Sequence, residues 1–372
     1  MSPVASMNVA LESFVKTHAE PFVQHRRRML MEIEKIINPL LAEVKKIDAK
    51  FDFELISPNS FYVVKSPTHF EVLLIFQGID PEEISIEDGQ TPPGFSLARL
   101  TGKRMVSRWK FCSGNSNPSK VYMSAKIVKE KLFELVKRVV NDGPNDRQQE
   151  AGKARIAVNE ACDDDTISLL VSGHDAEPFS LDLVPAIPCP GRWVFSAHAW
   201  QSKPADWANR KFKEELIRSG IHLVARPSPS KSGYQWQIDF PGPMRKLLEL
   251  DMGCRTKCLL ILEIIMVNMH SFQERCDSFQ LETLAMHVTE KFPIRSFWSD
   301  EKLSKRFLDT VKELQRCLSE RNLGHIFLPN VNLFRDVNKL ALDSWEEGIQ
   351  KVLRDPEKFL NTFELFKYTT SL

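Results

Sequence analysis

The stretch Ser66–Phe76, SPTHFEVLLIF, constrains this chain more than any other. A Ser-Pro turn signal opens an apolar run rich in β-branched and aromatic residues, which reads as a strand. Side chains alternate across a strand. His69, Glu71, Leu73 and Ile75 therefore share one face, and Phe70, Val72, Leu74 and Phe76 the other. Two polar groups stand side by side at the entrance of an otherwise apolar ribbon. A second stretch, FSLDLVPAI at Phe179–Ile187, carries Asp182 amid apolar residues. A carboxylate there is costly to bury unless a cation or hydrogen-bond donors meet it. Two carboxylates on neighbouring strands can hold Mg²⁺ against a nucleotide phosphate.

Taken in order, the chain opens with a helical pattern from about Leu11 to Ile47. Met29, Ile33, Ile36, Ile37, Leu40, Leu41, Val44 and Ile47 form its apolar stripe, and Pro39 predicts a kink or a split. Phe51–Ile56 reads as a first strand, followed by the turn Ser57-Pro58-Asn59-Ser60. Phe95–Trp109 reads as two short strands about a basic turn at Thr101–Arg104. An amphipathic helix covers Val121–Val140, and strands are expected at Arg155–Asn159, Thr166–Ser172, Ile221–Ala225 and Gln235–Phe240. Beyond Pro243 only helical patterns remain. The expectation is an α+β chain: a spine helix over 11–50, an α/β lobe over 51–245 and an all-helical lobe over 246–372. The sheet should be mixed, mostly antiparallel, with flanking helices.

At 372 residues the chain can build a large core, or two lobes. Its formal charge of +1 argues against a globally basic nucleic-acid binder. Two local clusters, Arg26-Arg27-Arg28 and Lys103-Arg104, are candidates for double-stranded nucleic acid, although each also reads as a solvated face. No apolar run approaches the ~20 residues of a membrane span, so no membrane partner is expected. The N-terminus lacks the pattern of a secretory signal, and seven cysteines fit reduced thiols. The expected location is cytoplasm, nucleus or both. Cys254 and Cys258 supply only two of the four usual zinc ligands, so core packing is expected and zinc is not.

Several ordered segments resemble the Mab-21 (male-abnormal-21-like) family of nucleotidyltransferase-fold proteins, relatives of cyclic GMP–AMP synthase. SPTHFEVLLIF looks like the family's metal strand, and GIDPEEISIEDGQTPPGFSLARLTGK like the loop and hairpin after it. DLVPAIPCPGRWVFSAHAW resembles the third-acid strand and its exit; WQIDF, MGCRTKCLLIL and HIFLPNVNLF resemble later landmarks. The resemblance covers about residues 25–345 and implies a two-lobed nucleotidyltransferase fold with a nucleotide cleft. In active relatives three acids hold two Mg²⁺ or Mn²⁺ ions about 3.5–4 Å apart. Carried over by position, His69 takes the first acid's place, Glu71 the second and Asp182 the third.

The departures from the family pattern matter. An imidazole is a poor exchange for a carboxylate at a hard cation that prefers charged oxygen. Asn59-Ser60 stands where active members place Gly-Ser against triphosphate. Ser278 falls at a serine that contacts nucleotide phosphate, Glu263 where relatives place lysine, and Gln237 where they place a base-contacting arginine. The resemblance thus implies a degenerate member that binds nucleotide, such as ATP, or a protein partner through the inherited cleft. The alternative is a cyclic GMP–AMP synthase-like receptor, making a cyclic dinucleotide from nucleoside triphosphates with Mg²⁺ after binding double-stranded nucleic acid.

Overall fold

The computed structural model describes residues 3–57, 60–66, 68–117, 120–142, 155–159, 166–172, 178–203, 209–250, 253–269 and 276–364. The strands are β1 (Tyr62–Ser66), β2 (His69–Ile75), β3 (Ile84–Glu87), β4 (Phe95–Leu100), β5 (Ser113–Asn117), β6 (Lys120–Met123), β7 (Arg155–Val158), β8 (Ile167–Ser172), β9 (Phe179–Cys189), β10 (Ile221–Val224) and β11 (Gln235–Asp239). Among the described residues they join in one sheet of order β1-β2-β9-β10-β11-β4-β6-β5, with β3 on β4 and a β7–β8 pair on β9. Among the described strand pairs β2 and β9 run parallel and the others antiparallel. The mixed, mostly antiparallel α+β reading holds.

The chain divides into two compact units. The sheet unit comprises the described residues of Arg28–Gln201 and Lys213–Met244. Its core lies beneath β2 on the face of Phe70, Val72, Leu74 and Phe76, all buried. Trp109 is wholly buried there and meets Phe51 and Phe76 edge-on, a favourable arrangement of ring quadrupoles. The helical unit comprises the described residues of Met1–Arg27, Ser202–Phe212 and Arg245–Leu372. Leu11, Ile261, Leu284, Phe307, Val311, Leu314, Trp345 and Ile349 lie in its single core. Asp277 and Gln280 close a capping box at the start of its Ser278–Lys291 helix, satisfying N–H groups that helix geometry leaves without partners.

Three local readings are corrected. Phe51–Ile56 is extended but makes only one isolated bridge, Phe53 with Phe76, because the segment lies alongside the end of β2 rather than its length. Thr101–Arg104 is not a hairpin turn. After β4 the chain enters a helix, Lys103–Arg108, that buries Met105 and Trp109 at a four-residue spacing. Gly102, which resembles a turn signal, instead serves as the N-cap of that helix, with the Glu83 side chain lying against it. The Glu20–Ile47 helix continues through Pro39 rather than splitting. Ile33 and Ile37 before the proline and Leu41 and Val44 after it are all buried, so one apolar stripe runs through it despite the missing N–H.

Candidate functional site

Glu71 sits directly opposite Asp182 because β2 and β9 pair in parallel with that register. The same ladder sets Ile75 opposite Ala186, and Ala186 faces Val224, which faces Gln237. Alternation then fixes one continuous face: Glu71, Leu73 and Ile75; Asp182, Val184 and Ala186; His222 and Val224; Gln237 and Asp239. Leu73, Ile75, Val184, Ala186 and Val224 form a small apolar floor, with Phe61 packed on it. Glu71 and Asp182 are both buried at its edge, at 6% and 8% exposure.

Each carboxylate has its own partner. His69 Nε2 lies 2.7 Å from Asp182 Oδ2. Glu71 takes two cations: Arg226 Nη2 donates to Oε1, and Lys65 Nζ lies 3.5 Å from Oε2. Arg226 also donates through Nη1 to Asp239 Oδ2 at 3.3 Å. It lies two residues beyond the end of β10, and its N–H bonds back to the Val224 carbonyl in a three-residue turn that ends the strand. Burial opposes the Glu71 charge, yet the guanidinium of Arg226 and the ammonium of Lys65 hold its pKa down to about 2. Burial disfavours the Arg226 charge too, but Glu71 and Asp239 raise its pKa above the usual value. His222 belongs to the same face, edge-on to Phe61; burial pushes its pKa down to about 4 against the pull of Asp239.

The donor set on this face does not suit a divalent metal. Both oxygens of Glu71 meet protein cations, and one oxygen of Asp182 meets His69. Mg²⁺ asks for near-octahedral oxygen coordination, which these engaged groups do not offer. Among the described residues, no three His, Cys, Asp or Glu side chains are grouped to hold a metal ion.

The other expected site residues distribute as follows. Ser60 Oγ accepts from Ser57 N–H at 2.9 Å and so ties its own turn, while Asn59 lies outside the described residues. Gln237 stands mid-strand on β11, on the face of Glu71. Ser278 opens the Asp277-capped helix in the helical unit. Glu263, in that unit, is buried and accepts from Arg26 Nη1 at 3.1 and 3.3 Å. Burial raises the Glu263 pKa, with Arg26 opposing. Burial also raises the Cys276 pKa, and the charges of Asp277 and Glu263 add to that rise, so both acids lie close to the start of the Ser278 helix. Cys254 and Cys258 are buried free thiols packed within the helical core. Arg27, Arg28, Lys103 and Arg104 are exposed, whereas Arg26 is turned toward Glu263.

Reading the sequence missed Arg226, Lys65 and Asp239. The signal was available. A buried Asp182 and Glu71 require cations, and Arg226 continues the period-two alternation of His222 and Val224.

Residues 58–250 match the model of the Mab-21 protein nucleotidyltransferase domain, and residues 254–351 that of the Mab-21 protein HhH/H2TH-like domain. A protein mab-21-like from Anopheles gambiae is 26% identical over 350 residues, spanning 88% of this chain and 87% of its own.

Proposed function

The chain belongs to the Mab-21 family, and from that premise we propose that it is a binding member of the family rather than a catalyst. It uses the Glu71 face of its sheet to receive a nucleotide or a protein partner without turning substrate over. One observation carries this reading: Glu71, at the position of a metal-holding acid, is taken up by Arg226 and Lys65. In the helical unit Glu263, where relatives place a lysine, is already matched by Arg26 and so offers phosphate no cation. The engagement of Glu71 by Arg226 and Lys65 weighs against the alternative of a cyclic dinucleotide synthase triggered by double-stranded nucleic acid. Cytoplasm or nucleus suits the six described cysteines, all buried thiols. Among the described residues no helix is long and apolar enough to cross a membrane.

The test is direct. Purified protein receives labelled ATP and GTP, Mg²⁺ or Mn²⁺, and double-stranded RNA or DNA. The expected outcome is no phosphatase-resistant product, with ATP, GTP or CTP raising the melting temperature. A product lost on Asp182→Asn would overturn the reading. Absence of both product and nucleotide shift would leave the protein partner as occupant.

A further inference from the structure

We propose that Arg226 is a built-in counter-ion, a permanent cation of the protein standing where a divalent metal would otherwise neutralise the carboxylates of this face. The proposal rests on the non-catalytic reading above and gives it a physical cause. Glu71 lies 155 residues from Arg226 in sequence, and the guanidinium nevertheless bridges it to Asp239, one arm to each carboxylate. The Arg226 side chain is only 19% exposed, and those of Glu71 and Asp239 8% and 14%. Charges so far from water dominate one another's energetics. The guanidinium Nε is buried with no hydrogen-bond partner, so the fork is held by its two carboxylates rather than by a full set of bonds.

The residue type matters here. A lysine in this place can lose its proton and yield to an arriving metal, but a guanidinium keeps its charge at every relevant pH. A dication seated on Glu71 would face that fixed charge within a few ångströms and would compete with its bond to Glu71. Lys65, at 3.5 Å from the other Glu71 oxygen, and His69, on one oxygen of Asp182, add to the competition. Nucleotide recognition by this face is then independent of divalent metal.

Mn²⁺ alone, without nucleotide, serves as the probe, with free Mn²⁺ read by electron paramagnetic resonance and the melting temperature read in parallel. Wild type should show no binding that Glu71→Gln removes. Arg226→Met, with Glu71 and Asp239 released, should bind Mn²⁺ roughly tenfold tighter or more, and Mn²⁺ should raise its melting temperature. If Arg226→Met does not fold alone, refolding in Mn²⁺ should recover it. Glu71-dependent Mn²⁺ binding by wild type overturns the proposal, as does a variant that Mn²⁺ neither stabilises nor rescues. Metal binding without product would sink the counter-ion while leaving the non-catalytic reading intact, so the two failures are distinguishable.

Discussion

Arg226 and Glu71 form a largely buried ion pair between the second residue after β10 and the third residue of β2, with β9 lying between those strands. Removing one member leaves the other as an uncompensated buried charge. Arg226→Met should therefore destabilise the protein by about 3–5 kcal/mol in urea unfolding. Arg226→Met combined with Glu71→Gln should recover part of that loss, the remainder reflecting Asp239 left without its guanidinium. Equal loss in the single and the double variant would mean that packing, rather than charge, sets the cost.

His222 gives the fold a pH dependence of defined sign. Its pKa is about 4 in the folded protein, below the ordinary 6.5. Above pH 6.5 neither state holds the proton; between 6.5 and 4 the unfolded chain binds it and the native protein does not. Stability thus falls as pH falls through that window, by about 3 kcal/mol at its lower end. His222→Gln should flatten this slope in urea midpoints measured from pH 7 to pH 4. An unchanged slope would assign the dependence to other groups.

The Arg26–Glu263 pair predicts which member of the basic cluster is structural. Arg26→Met should cost roughly 3–5 kcal/mol, because Glu263 is left buried and unpaired. Arg27→Met, at an exposed position, should stay within about 0.5 kcal/mol. The comparison needs only thermal and urea unfolding of the two variants. Similar effects from both would refute a private partnership of Arg26 with Glu263.

Gly220 permits the connection that sets β10 against β9. Its φ is +72°, and a Cβ there would lie 2.1 Å from the Cys189 carbonyl oxygen. Gly220→Ala should cost about 2–4 kcal/mol through backbone strain and overpacking. Circular dichroism should show a cooperative but lower melting transition; an unshifted transition would mean the loop relaxes freely.

At His69 the sequence alone leads one to expect that His69→Glu, by restoring an acid-x-acid pair, raises metal affinity. With Arg226 fixed on Glu71, the single change should leave Mn²⁺ binding close to wild type. His69→Glu with Arg226→Met should bind most tightly of all. A large gain from His69→Glu by itself would show that the guanidinium yields easily.

Much of this was legible in the chain. The greasy alternation of SPTHFEVLLIF put Glu71 on a strand face, and the lone acid in FSLDLVPAI announced a partner for Asp182. The helical stretches after Pro243 were plain from their period. What the sequence withheld was long-range pairing. Nothing local says that residue 226 rather than another arginine will meet residue 71, since that depends on strand order and register. Likewise Glu263 resembled a bare negative charge until Arg26, 237 residues earlier, was seen against it. The Lys103–Arg108 helix was misread because Gly102 mimics a hairpin signal while Met105 and Trp109 carry the period that decided the outcome.

The parallel seam between β2 and β9 also governs when this protein becomes itself during synthesis. His69 leaves the ribosome 111 residues before Ser180, its register partner, so β2 waits with one flank open while the intervening chain is made. Closing so long a loop is slow, and an apolar strand held open invites pairing with strangers. The strand of Glu71 thus stays exposed for a long part of synthesis, and although Lys65 is already made, the guanidinium of Arg226 reaches Glu71 only later still.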